Sequence, residues 1–185
     1  MEKEQDIRYQ RTRESVYQAM VALLQEKNFD SITVKEIVDR AGISRSAFYN
    51  HFEDKYLLVE QYQLTFIAKV NKLILETKDR GREMVLLKIL TLLKSEDVLM
   101  SLLFSKNGSV EVQQKLLAVL RQNARLNILP YTTFEPVNEQ ETRYILAFMS
   151  NAVLGVIQEW INHGQQEEPI EIIRVLNQLL PFDLK

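Results

Sequence analysis

An all-α fold is what the sequence predicts, with an N-terminal three-helix helix-turn-helix domain over residues 1–54 and a helical domain over 55–185. Three observations carry this. Five glycines and four prolines in 185 residues leave long windows without a breaker. Apolar residues recur at spacings of three and four rather than two. Within residues 33–52, a helix start, a glycine stop and a second helix start follow one another closely.

The elements can be justified in order. A first helix is expected over Ile7–Lys27, with Val16, Met20, Leu23 and Leu24 on one face. Phe29 and Ile32 then turn back toward a core. Thr33-Val-Lys-Glu36 reads as a capping box opening a second helix, whose buried side is Ile37 and Val38. Gly42 suits the left-handed residue that ends it. Ser44 caps a third, short helix over Arg45–His51, with Ala47, Phe48 and Phe52 as core contacts. A long helix follows over Asp54–Lys78. With no flexible linker beside it, this helix is shared by both domains. Gly81 stops it. Further helices are expected over Glu83–Leu93, Glu96–Phe104, Ser109–Leu129, Glu139–His163 and Pro169–Leu180, the last with proline in its first turn.

Composition narrows the function. Cysteine is absent, which removes disulfides, thiolate metal sites and a cysteine nucleophile. His51 and His163 stand far apart without a partner at metal spacing, so no metal site is expected. No phosphate-cradling glycine loop and no glycine-flanked nucleophilic serine is present, and neither catalytic residues nor a cofactor are expected. The N-terminus is charged and no uninterrupted apolar run reaches the length of a membrane span, so a cytoplasmic protein with no membrane partner is expected. The formal net charge is −2, and any nucleic-acid contact must come from a local patch.

The chemistry of such a patch is concentrated in the third helix. It would expose Arg45, Ser46, Tyr49 and Asn50 to the major groove of double-stranded DNA. Arginine can donate two hydrogen bonds to guanine, and asparagine pairs with adenine. Thr33, Lys35, Ser44, His51 and Lys55 suit phosphate oxygens or groove edges. For His51, packing on the first helix is an equal reading. Residues 1–55 hold nine Lys/Arg against ten Asp/Glu, so the head is not basic overall.

The run Thr33-Val-Lys-Glu-Ile-Val-Asp-Arg-Ala-Gly-Ile-Ser-Arg-Ser-Ala-Phe-Tyr-Asn-His-Phe52, followed by Asp54-Lys55, resembles the DNA-binding domain of TetR/AcrR-family transcriptional regulators. The Ala41-Gly42-Ile43-Ser44 turn and the Phe48-Tyr49-x-His51-Phe52 ending carry the likeness most sharply. Gly155-Val-Ile-Gln-Glu-Trp160-Ile resembles a C-terminal type common in Gram-positive members. The resemblance implies a transcription regulator whose second domain binds a ligand and dimerises. It implies a homodimer on a pseudo-palindromic operator, acting as a ligand-responsive repressor. It also implies that Tyr49 touches phosphate or a thymine methyl and that Lys55 touches phosphate beside a helix N-terminus. The alternative is a protein of the same fold that serves as a protein-interaction or co-activator module without binding DNA directly.

Two further sets of candidates lie in the second domain. Ala152, Gly155, Val156 and Trp160, with Leu176 and Leu179, are candidates for the homodimer interface, because the Glu139–His163 helix is apolar on more than one side. Phe66, Met100, Phe104, Tyr131, Phe134, Tyr144 and Phe148 are candidate linings for a small-molecule effector. The absence of a charge within a clearly apolar face points to a neutral or lipophilic effector.

Overall fold

Caps assemble the head. In the computed structural model, which describes residues 2–127, 129–131 and 136–179, α1 (Glu2–Glu26) leads through a 3-10 turn (Phe29–Ser31) into α2 (Val34–Ala41) and α3 (Arg45–Tyr49). Thr33 and Glu36 form the expected capping box: the Glu36 amide donates to the Thr33 hydroxyl at 3.3 Å, and the Thr33 amide donates to the Glu36 carboxylate at 2.9 Å. Gly42 ends α2 at φ 67°, a left-handed conformation in which a side chain would clash with its own backbone. The Ala47 amide then donates to the Ser44 hydroxyl at 3.0 Å and starts α3. Val16, Met20, Leu24, Ile37, Phe48 and Phe52 fill the space between the three helices.

The body comprises α4 (Lys55–Thr77), α5 (Arg82–Thr91), α6 (Val98–Phe104), α7 (Val110–Asn127), α8 (Glu139–Asn162) and α9 (Pro169–Leu179). No strand occurs among the described residues. Helix bounds differ from the sequence expectations mainly by a residue or two at the ends, where caps compete with helix continuation. Two differences are larger. α1 begins at Glu2 rather than Ile7. The join between the fifth and sixth helices is a π-helical segment, Leu92–Glu96, which ends at Asp97. Asp97 then caps α6 by accepting from the Met100 amide at 3.3 Å.

α4 touches both parts of the molecule. Its first turn meets the Phe29–Ser31 turn through Lys55, Gln61 accepts from Arg13 of α1, and Phe66 meets Phe104 of α6 edge to face. α1 also packs directly on α6. The turn after α6 adds two bonds to the head: the Phe29 amide donates to the Asn107 carbonyl at 2.8 Å, and the Asn107 side chain donates to the Leu24 carbonyl at 2.9 Å. A side chain at Gly108 would fall 1.9 Å from the Leu103 carbonyl oxygen, so only glycine lets this turn close on α6.

α8 is apolar on more than one side but only partly covered. Leu146, Leu154, Ile157, Trp160 and Ile161 are buried, whereas Tyr144 and Phe148 are 63% and 66% exposed. By length and composition the helix could cross a membrane, with a mean hydropathy of 1.3 over its most apolar window. Polar residues interrupt that window, so a search for an unbroken apolar run misses it. Here α8 packs against α6, α7 and α9 as a core helix.

Candidate nucleic-acid interface

The third helix is anchored by one residue and exposed by the rest. Phe48 is fully buried, and its ring meets Phe52 at 5.5 Å and Tyr49 edge to face at 5.5 Å. Arg45, Ser46, Tyr49 and Asn50 consequently face outward, with Tyr49 56% exposed. Lys35 and Thr33 are exposed on and before α2. Lys35, Arg45, Ser46 and Asn50 enter no side-chain hydrogen bond or ion pair among the described residues. Two of the expected hydroxyls already serve helix caps. Thr33 Oγ1 accepts from Glu36 N and donates to Glu36 Oε2 at 2.8 Å, while Ser44 accepts from Ala47 and keeps its own proton to give.

Two candidates are placed differently. Lys55 is only 9% exposed. Its ammonium donates to the carbonyls of Phe29 at 2.9 Å, Asp30 at 3.0 Å and Ile32 at 2.8 Å. All three donors are engaged, which corrects the expectation of a phosphate contact. Burial pulls its pKa down, and nearby Asp30 opposes that. His51 is half-buried. Its ring lies 4.1 Å from the Tyr9 ring, and Nδ1 is buried without a hydrogen-bond partner. Burial and then the charge of Arg13 lower its pKa, which favours the neutral imidazole and the packing reading.

Two ion pairs and one stacked arginine occupy further charges of the head. Glu36 meets Lys27 and Glu26 meets Arg40. The Lys27 ammonium and both groups of Thr33 hold the Glu36 carboxyl down at about 2. Arg13 lies over the rings of Tyr9, Tyr17 and Phe52 at 5.9, 5.6 and 5.4 Å and donates to Tyr17 Oη. Tyr9 and Tyr17 stand four positions either side of Arg13 on α1, whereas Phe52, beyond α3, and Gln61 of α4 reach it only through the fold.

The body candidates divide as well. Phe66, Met100 and Phe104 are buried together near α4 and α6. Tyr144 and Phe148 point out of the protomer, which corrects their assignment as pocket linings. Phe134 and the Tyr131 side chain lie outside the described residues. Among the dimer candidates, Gly155 and Leu179 are exposed, and Ala152 and Val156 are half-buried. Trp160 and Leu176 are 3% and 1% exposed, so both belong to the protomer core. Trp160 donates from its indole to the Glu167 carbonyl at 3.0 Å and so ties down the α8–α9 loop. A cleft of about 340 Å³ lies between α8 and α9, lined by Val156, Trp160, Ile172 and Val175 with Glu159, His163 and Glu167. Sequence reasoning also missed Asp97. It is 1% exposed within the body and accepts from Tyr62 Oη and, at 3.1 Å, from the Lys69 ammonium. A buried charge therefore does exist among the middle helices.

Comparison with known proteins agrees with this arrangement. The pattern of bacterial regulatory proteins of the tetR family matches residues 16–62, and that of a transcriptional regulator C-terminal region matches residues 83–181. YxbF, an uncharacterized HTH-type transcriptional regulator of Bacillus subtilis strain 168, is 40% identical over 45 residues, which are 24% of this chain and 12% of that protein. A TetR transcriptional regulator from Streptococcus agalactiae 2603V superposes with a TM-score of 0.68 at 20% identity, covering 97% of this chain and 99% of that one. The fatty acid degradation regulator FadR from Bacillus halodurans superposes with a TM-score of 0.69 at 13% identity, covering 91% and 94%. The C-terminal match alone spans more than half of the chain, and the head match covers the helix-turn-helix whose third helix is exposed. The chain therefore belongs to the TetR family of bacterial transcriptional regulators, and it is a DNA-binding regulator rather than an enzyme.

Proposed function

We propose that this regulator is a ligand-responsive repressor that binds a pseudo-palindromic operator as a homodimer. Arg45, Ser46, Tyr49 and Asn50 read the major groove, and Lys35 and Ser44 contact phosphate. The observation that supports this most is the exposure of these α3 side chains around the buried anchor Phe48. A single short recognition helix reads only a few base pairs, so two heads are needed, about 34–36 Å apart on one face of the duplex. The second copy covers the exposed apolar surface of α8 and α9: Tyr144, Phe148, Gly155, Val175 and Leu179. No Cβ contact within 4 Å limits Gly155 in the protomer, so a partner helix could approach closely there. A small neutral or lipophilic effector binds among the middle helices, near the apolar side chains Phe66, Met100 and Phe104. The test is to sequence genomic DNA fragments retained by the purified protein and to measure its mass in solution. An inverted repeat bound by a dimer is the expected result. A protein that retains no fragment would instead be an interaction module of the same fold.

A further inference from the structure

The Phe29–Ser31 turn is held from two sides, and this bears on how α3 is aimed. On one side the Phe29 amide donates to the Asn107 carbonyl. On the other, Lys55 of α4 reaches the carbonyls of Phe29, which also accepts from the Ile32 amide, and of Asp30 and Ile32 at the end of the short turn. Its ammonium also lies 4.7 Å from the Phe29 ring centre and 5.2 Å from that of Tyr56, and the two rings meet edge to face at 5.3 Å. Ile32 directly precedes Thr33, the N-cap of α2. The fixed point therefore sits one peptide from the helix that carries α3.

We propose that Lys55 is a positioning residue of the head: it clamps the Phe29–Ser31 turn to α4 and so sets the orientation of α2 and α3 on DNA. The proposal rests on the DNA-binding reading above. A phosphate contact and a clamp differ in what their loss does. Removing a phosphate contact weakens binding to every sequence alike and makes the dependence of log K on log salt shallower by about one per contact. Removing a clamp leaves the phosphate count unchanged and misaims the bases' partners, so discrimination is lost.

The experiment compares wild type, Lys55→Met and Lys55→Arg on two duplexes, one selected from genomic DNA by the wild-type protein and one scrambled to equal length. All titrations are made over a salt series at a temperature where each protein is folded. For Lys55→Met, the ratio of specific to non-specific affinity should fall, the salt slope should stay put, and amides 29–34 should exchange faster. Lys55→Arg should restore part of the ratio through its charge. An unchanged ratio with a shallower slope and unaltered exchange would overturn the clamp. If the methionine variant does not fold, the wild type still decides. The Lys55 ammonium should give a slowly exchanging NMR signal that DNA leaves in place, whereas scalar coupling to a DNA phosphorus would refute it. A wild type that binds neither duplex refutes the DNA-binding reading, and amide exchange in Lys55→Met then still tests the clamp.

Discussion

Arg45 opens α3 and Asn50 follows its last residue, and neither side chain has a hydrogen-bond partner among the described residues. Their residue types match guanine and adenine edges, each with two hydrogen bonds. Arg45→Ala should weaken specific binding by about 1–3 kcal/mol and relax preference at one base position, as read in a competition assay against single-base variants of the selected site. Equal loss on all variants would make Arg45 a phosphate contact instead. His51 makes a different prediction. Burial and Arg13 lower its pKa below the ordinary 6.5, so the unfolded chain binds a proton that the folded one resists. Stability from this group is present above pH 6.5 and is lost as pH falls below it. Thermal melts on either side of pH 6.5 should show that loss, and His51→Phe should flatten it by keeping the ring against Tyr9 without a titrating nitrogen.

Secondary-structure elements in the head depend on their ends more than on their lengths. α3 has five residues, too few to be stable alone, and exists because Ser44 caps it and Phe48 docks it. α2 likewise depends on its capping box and on Gly42. Gly42→Ala meets no neighbour within 4 Å, so its cost is the left-handed backbone alone. That should destabilise the protein by about 1–2 kcal/mol, read by denaturant titration, without changing the salt slope of binding. The same logic separates two faces of the body. Leu176 of α9 is 1% exposed, so Leu176→Glu should unfold the protomer, at a cost no smaller than the about 2–5 kcal/mol of emptying such a site. Phe148 of α8 is 66% exposed, so Phe148→Ser should leave the melting temperature of the protomer nearly unchanged while shifting the protein toward monomer. Light scattering and melts on both variants distinguish the two roles. A dimer indifferent to Phe148→Ser would move the interface off this part of α8.

Taken as one molecule, the chain joins head to body at three places rather than through a hinge: α4 through Lys55, α1 packed on α6, and the turn at Asn107. The last of these also reaches α8, since the Lys106 amide donates to the Asn162 side chain at 2.8 Å and Gln113 pairs with Gln158. A chain of hydrogen bonds thus links α8 to the end of α1 and to the Phe29–Ser31 turn. Charge is organised on the same scale. Of the nine basic residues in positions 1–55, Lys55 is buried, Arg13 rests on rings, and Lys27 and Arg40 are in ion pairs. That leaves five, Lys3, Arg8, Arg11, Lys35 and Arg45, against ten acidic residues in the same span, so tight binding has to draw on two heads and base contacts as well as on phosphate.

Local signals written within a few residues were legible from the sequence alone. The capping box at Thr33 and Glu36, the left-handed Gly42, the Ser44 cap and the spacing of Phe48 and Phe52 determined the helix-turn-helix, because each depends on neighbours no more than four positions apart. The exposure of Arg45 and Asn50 followed from the same spacing. What tertiary structure alone decided are the contacts between residues far apart in the chain. Lys55 became a clamp because the carbonyls of Phe29, Asp30 and Ile32, about 25 positions earlier, lie within its reach. Trp160 and Leu176 went to the core, and Tyr144 and Phe148 to the surface. On a helix apolar on more than one side, periodicity shows that several stripes want covering, but the packing of α6, α7 and α9 selects which is covered within the protomer. No local pattern singled out Asp97, because its partners Tyr62 and Lys69 come to it from α4 only in the fold, as a buried charge requires.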